Sequence, residues 1–271
     1  MKNERTTAGL SLARFISSEA GGWSNSYLVS GSSDAILFDV FMLRSDATKL
    51  AENIKRSGKQ LKAVMISHAH PDHFMGTDVI ADQFPDVPIL STADVIADIR
   101  EDSPWMYSII RSKMGTEAPK RVVIPQALDR ASLEIDGVEL KVMDFAEGES
   151  KHLAALYVPD MKLFVSGDMV YNGAHLYVAE KHISSWLLRL DEIEAFAKGR
   201  ISVFYPGHGP SGDVSLIAQT RQYLRDFAEA SKSADERTAE KMMLDKYPEH
   251  HARQFLTVFS MPAFYPPPAA R

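Results

Sequence analysis

Short apolar runs closed by polar turn clusters fill the first half of the chain and alternate with stretches of helical period, which predicts strands alternating with helices. Residues 26–30 and 35–40 flank the polar cluster Gly31-Ser-Ser-Asp34 and read as a hairpin. Within 46–57, Ala47, Leu50 and Ile54 recur at helical spacing before Gly58, a residue suited to follow a helix end. Residues 62–66 read as a buried strand, 76–83 as a helix and 87–90 as a strand that follows Pro85. A helix is expected over 93–114, broken at Pro104. Asp136-Gly137 is a turn signal inside 133–145, Pro159-Asp160 separates strands at 155–158 and 162–166, and 201–205 reads as the last strand.

Beyond Gly212 the period becomes helical. Val214, Ile217, Leu224 and Phe227 share one stripe while Arg221, Arg225 and Glu229 fall elsewhere, so this helix has a face to bury. Further helices are expected over 234–247 and 252–259, before the proline-rich tail Pro262-Ala-Phe-Tyr-Pro266-Pro-Pro268. With no repeat and no flexible linker, the expected organisation is a main domain over 1–212 and a helical extension over 213–271 packed on it.

Composition narrows the chemistry. The 271 residues are 45% hydrophobic and 24% charged, the balance of a globular chain. A net charge of −6 without any long basic run argues against nucleic acid as a partner. The chain has no cysteine, so any metal must be held by histidine and carboxylate. The first residues are too polar for a signal peptide, and no window of about 18 apolar residues suggests a membrane span. A cytoplasmic protein without membrane contact is the expectation.

The candidate chemistry sits just after the strand at 62–66. His68, His70, Asp72 and His73 crowd into six positions, although the whole chain holds only 9 histidines. Side chains two apart in an extended segment leave on the same side, and residues past Pro71 can face back from the other flank, so one loop can serve two metal positions. Imidazole suits zinc, and a mixed histidine and carboxylate set also admits iron or manganese.

This loop resembles the His-x-His-x-Asp-His signature of the metallo-β-lactamase superfamily. Further landmarks follow the same order: Asp39 closing an early strand, Gly167-Asp168 after a strand, and Pro206-Gly-His208-Gly at the end of a late one. The resemblance covers about residues 20 to 212 and implies an α/β fold, an αββα sandwich with the helical extension appended. It implies that His68, His70, Asp72, His73, Asp168 and His208 bind metal, with Asp168 bridging two zinc ions, and that Asp39 supports the loop by hydrogen bonding. One landmark departs: the turn that carries a further histidine in the family reads Gly148-Glu149-Ser150-Lys151-His152, leaving Glu149 and His152 both as candidates for the first site.

The resemblance further implies a hydrolase. Two neighbouring cations lower the pKa of a bound water from about 16 toward about 7 and polarise a carbonyl, so the nucleophile is water and Asp72 orients it and moves a proton. Trp23, the segment 104–114 with Trp105 as an apolar lid, Tyr171 and His175 are candidates to contact a small-molecule substrate. A lactone, ester or thioester is the leading substrate class. A broad, weak β-lactam hydrolase and, in a different class, a mononuclear iron dioxygenase or non-hydrolytic metal protein are the alternatives, and a homo-oligomeric state is left open.

Overall fold

The computed structural model describes residues 2–7 and 9–265, with side chains from Gly9 onward. One sheet holds, in spatial order, β1 (Lys2–Thr7), β2 (Leu10–Ile16), β3 (Asn25–Ser30), β4 (Asp34–Phe38), β5 (Gln60–Met65), β6 (Ile89–Ser91) and β7 (Gln126–Ala127). Neighbours are antiparallel up to β4 and parallel from β4 to β7. Parallel neighbours need crossovers. These are α1 (Arg44–Arg56), then α2 (Pro71–Phe74) with α3 (Thr77–Gln83), then α4 (Ala93–Met114).

The second sheet runs in the order β12 (Val203–Pro206), β11 (Leu163–Gly167), β10 (Leu153–Val158), β9 (Val138–Phe145) and β8 (Ser132–Ile135). Only β11 and β12 are parallel there, and α5 (Ile183–Ala197) lies on their crossover. The chain ends in α6 (Ser215–Ala230), α7 (Glu236–Lys246), a π-helical turn at Phe255–Ser260 and α8 (Met261–Phe264). Among the described residues no helix is long and apolar enough to cross a membrane.

Alternation along the strands explains the layering. Tyr27 and Val29 of β3 and Ile36 and Phe38 of β4 meet Ala154 and Leu156 of β10 and Val165 of β11 in a core between the sheets. Leu28, Ala35 and Leu37 point the other way and pack with Leu50 and Ile54 of α1 and Ile99 of α4. On the far side, Leu153, Ala155 and Phe164 pack with Trp186 and Leu190 of α5 and Leu224 and Phe227 of α6. The result is the αββα sandwich, with the C-terminal helices in its outer layer.

Two expectations change. Helix α4 runs unbroken through Pro104. A proline inside a helix costs about 3 kcal/mol, but Ile99, Ser103, Met106 and Ile110 are buried along one face of α4 and keep its two halves in register against the sheet. Helix α5 and strands β1 and β2 were not anticipated: Ile183–Ala197 has a weak apolar stripe, and the opening residues read only as polar. Residues 266–268 of the proline-rich tail lie outside the described residues.

Candidate metal centre

The parallel pairing of β4 with β5 sets Phe38 opposite Met65, so the loops leaving both strands emerge side by side. Asp39 follows at φ 61, a left-handed backbone that aspartate tolerates better than most residues. Its amide donates to the Met65 carbonyl at 2.9 Å, and its carboxylate accepts from the Ser67 amide and the Ser67 hydroxyl, both at 2.8 Å. It also pairs with His73 Nδ1 at 2.9 Å. Burial holds the Asp39 carboxyl above its ordinary value, against the pull of His73 and Ser67.

These contacts dictate which ring nitrogen of each histidine is bare. A carboxylate can only accept, so His73 Nδ1 carries the proton and Nε2 keeps its lone pair. The Ser67 hydroxyl is already donating to Asp39, so it accepts from His68 Nδ1 at 2.8 Å and leaves His68 Nε2 bare. His70 Nε2 pairs with Glu180 at 2.7 Å, which leaves Nδ1 bare. Each bare nitrogen faces the same small volume.

Three groups of ligand atoms meet there: His68 with His70 and Glu149, His68 with His73 and Asp168, and Asp72 with His73 and His208, each set within 4.8 Å. His70 Nδ1 lies 3.1 Å from Glu149, His73 Nε2 3.4 Å from Asp168, and His208 Nε2 3.2 Å from Asp72 and 3.3 Å from Asp168. Acceptor atoms so close need a cation or a proton between them. His68 Nε2, Asp72 Oδ2, His73 Nε2, Glu149 Oε2, Asp168 Oδ1 and His208 Nε2 are all buried without a hydrogen-bond partner, a costly state for polar atoms unless they coordinate. The donor set, nitrogen and carboxylate oxygen only, fits zinc, iron or manganese.

The local electrostatics carry the same sign at His70 and His208, whereas burial and the neighbouring His73 and His70 lower the pKa of His68. Burial opposes charge on His70, yet Glu149 and Glu180 raise its pKa well above the ordinary value. Likewise burial opposes charge on His208, and Asp168 and Asp72 nonetheless lift it to about 9. Burial also lifts the Glu149 carboxyl to about 7, despite the neighbouring His70. The centre is a buried concentration of negative charge that attracts protons in place of cations.

Of the two candidates in the Gly148–His152 turn, the structure brings only Glu149 to the cluster. Gly148 donates its amide to the Ser150 carbonyl at 2.9 Å, closing a tight turn that points Glu149 inward, 2% exposed. His152 emerges on the other side, half-exposed, with Nδ1 on Asp98 at 2.9 Å.

Tyr171 is at the centre: its hydroxyl donates to Asp168 at 2.6 Å and its ring stacks on His208 at 5.2 Å. Trp23 stands at the edge, edge-on to His251 at 6.0 Å. His175 is elsewhere, buried under the C-terminal helices with Nδ1 on the Tyr223 hydroxyl at 2.9 Å. Trp105 is 54% exposed, and its indole donates at 3.4 Å to Asp102 on its own helix. The apolar surface beside the cluster comes instead from Tyr177, edge-on to His70 at 4.7 Å, and Phe255, edge-on to His208 at 4.9 Å.

Sequence reasoning missed Glu180, Ser67, Tyr177 and Phe255. Ser67 adjoins His68 and was legible as a neighbour, but Glu180 is 110 residues from His70 and carries no local signal.

Comparison with known proteins agrees with this geometry. The sequence pattern of the Metallo-beta-lactamase superfamily matches residues 21–208. The chain is 23% identical over 207 residues to the probable metallo-hydrolase YqgX of Bacillus subtilis (strain 168), covering 76% of this chain and 94% of the relative. It is 20% identical over 206 residues to the metallo-beta-lactamase type 2 of Bacillus cereus, covering 74% of this chain and 73% of the relative. In fold it is similar to a metallo-beta-lactamase from Pontibacter korlensis, with a TM-score of 0.65 at 19% identity over 83% of this chain and 98% of the other.

Proposed function

Because the chain belongs to the metallo-β-lactamase superfamily and is a metal-dependent hydrolase, we propose that it cleaves a small lactone, ester or thioester by activating water at a two-zinc centre. The observation that carries this is the set of bare, buried donor atoms of His68, Asp72, His73, Glu149, Asp168 and His208. Bound cations there would supply the positive charge that brings the pKa of a water toward about 7 and polarises the scissile carbonyl. His68, His70 and Glu149 would hold the first cation, and Asp72, His73 and His208 the second, with Asp168 between them.

Asp72 is the cluster carboxylate with reach to solvent, its side chain 15% exposed against 3% for Asp168 and 0% for Glu149. It would orient the attacking water and pass its proton to the leaving atom. Asp39 and Ser67 hold His68 and His73 in the tautomers that leave Nε2 free, Glu180 does the same for His70 Nδ1, and Tyr171 anchors Asp168.

A second reading, broad and weak β-lactam hydrolysis, is favoured by the name of the Bacillus cereus relative. A hydrolysis screen of zinc-reconstituted protein across lactones, esters, thioesters and β-lactams separates the two. Asp72→Ala should lower turnover on the best substrate by about 100- to 10,000-fold, the usual worth of a general acid–base group. Inactivity on every carbonyl class, with dioxygen uptake by iron-loaded protein, would replace hydrolysis by an oxygenase.

A further inference from the structure

Two side chains carry most of the cluster's access to solvent, Asp72 at 15% and His70 at 9%, while the others are exposed by 3% or less. A substrate has to come in across these two. Aromatic rings stand beside both. Tyr177 meets His70 edge-on at 4.7 Å. Phe255 lies 3.6 Å from where a Cβ on Gly22 would sit, and that point is 3.2 Å from Asp72 Oδ2. Gly22 has φ +89, so the backbone approaches Asp72 here in a conformation that favours glycine.

From these rings an apolar surface runs outward. Tyr177 contacts Phe255 at 6.2 Å and Phe259 at 5.9 Å between ring centres. Phe255 is 8% exposed, Phe259 44% and its neighbour Val258 57%, a gradient from the cluster to solvent. The surface is held firmly. The Ser260 hydroxyl accepts from the Val178 amide at 2.7 Å and sits 3.3 Å from the Leu176 carbonyl, so the turn bearing Phe255 and Phe259 is fixed to the segment bearing Tyr177. That turn is π-helical, a geometry that recurs at functional sites.

We infer that Tyr177, Phe255 and Phe259 form the wall along which the aliphatic acyl chain of the substrate lies, so that the enzyme selects medium-chain over short-chain carbonyl substrates. This rests on the ester, thioester or lactone reading for the head of the substrate. The chain's occupancy follows from position: the carbonyl must face His70 and Asp72, and the surface continuous with those residues is aromatic and ends in solvent.

The probe is a series of straight-chain carboxylates, butanoate to decanoate, titrated calorimetrically into zinc-loaded protein, with p-nitrophenyl esters of the same lengths assayed in parallel. Affinity should rise about twofold per methylene, since a half-open wall removes only part of each methylene from water. Phe259→Ala should flatten that slope, Phe259→Leu should keep most of it, and Trp105→Ala should leave it unchanged, with melting curves showing each variant folded. An affinity independent of chain length overturns the wall, as does a slope that survives Phe259→Ala and vanishes in Trp105→Ala. Graded carboxylate binding without ester hydrolysis supports the wall and removes the ester from the proposed substrate classes. Ester hydrolysis without graded binding does the opposite.

Discussion

At the level of single residues, the decisive feature is a carboxylate, Glu149, grouped with His68 and His70. Glu149 adds a negative charge to the group that holds His68 and His70, and a carboxylate at that position favours harder cations than a third imidazole does. His152 is bound to Asp98 and turned away. Glu149→Ala should therefore release about one metal per chain, measured by elemental analysis after exhaustive dialysis, whereas His152→Ala should keep the full complement. Loss in the second variant but not the first would reverse the assignment. The histidine tautomers also belong to this level: Asp39, through Ser67 and His73, orients the rings of His68 and His73 without facing the metal volume itself.

Elements decide how the site is walled and how the C-terminal helices are joined to it. His175 follows β11 in the chain yet is buried against Tyr223 of α6 and beside His250, with its ring 5.5 Å from the His250 ring. Burial, followed by the charges of His250, Arg253 and His251, pushes its pKa down to about 4. An unfolded histidine titrates near 6.5, so between about 6.5 and 4 the unfolded chain binds the proton that the folded one refuses. The stabilising contribution is complete above about pH 6.5, declines through that window and is gone below it. His175→Asn keeps a partner for Tyr223 and cannot titrate in this range. Denaturant unfolding at pH 7 and pH 4.5, at equal metal content, should show the variant losing less stability on acidification than the parent protein, and equal losses would remove His175 from the linkage.

Across the whole molecule, the helices after residue 212 share a core with the sandwich. Met169, Tyr171 and Trp186 share one buried cluster with Leu216, Leu224, Phe227 and Leu256, so the boundary near residue 212 cuts through a core. A chain ending at Gly212 would expose those faces, and each large side chain returned to water costs about 1.5–3 kcal/mol, against a total stability of about 5–15 kcal/mol for a domain. The truncated chain should aggregate or remain unfolded by circular dichroism and sedimentation. A monomeric, cooperatively melting 1–212 fragment would show that the helices are merely attached.

The sequence by itself determined the parts whose signals are local. The apolar runs at 26–30 and 35–40 around the polar cluster Gly31 to Asp34, the Asp136-Gly137 turn and the crowded His68 to His73 loop each depend on residues close in the chain, and the observed hairpins lie where those patterns put them. The order of Asp39, Asp168 and His208 was also legible, but only through the resemblance to the metallo-β-lactamase superfamily, whose landmarks follow strands in that order. Tertiary structure alone decided between Glu149 and His152, since one three-residue turn sends them to opposite sides. It also decided that Pro104 does not break α4, because packing outweighs a local propensity. It left Trp105 exposed on α4, set Tyr177 and Phe255 beside His70 and His208, and supplied Glu180 to His70. These depend on contacts between segments far apart in sequence, where a helical stripe or a lone carboxylate reveals that it will be buried but not against what.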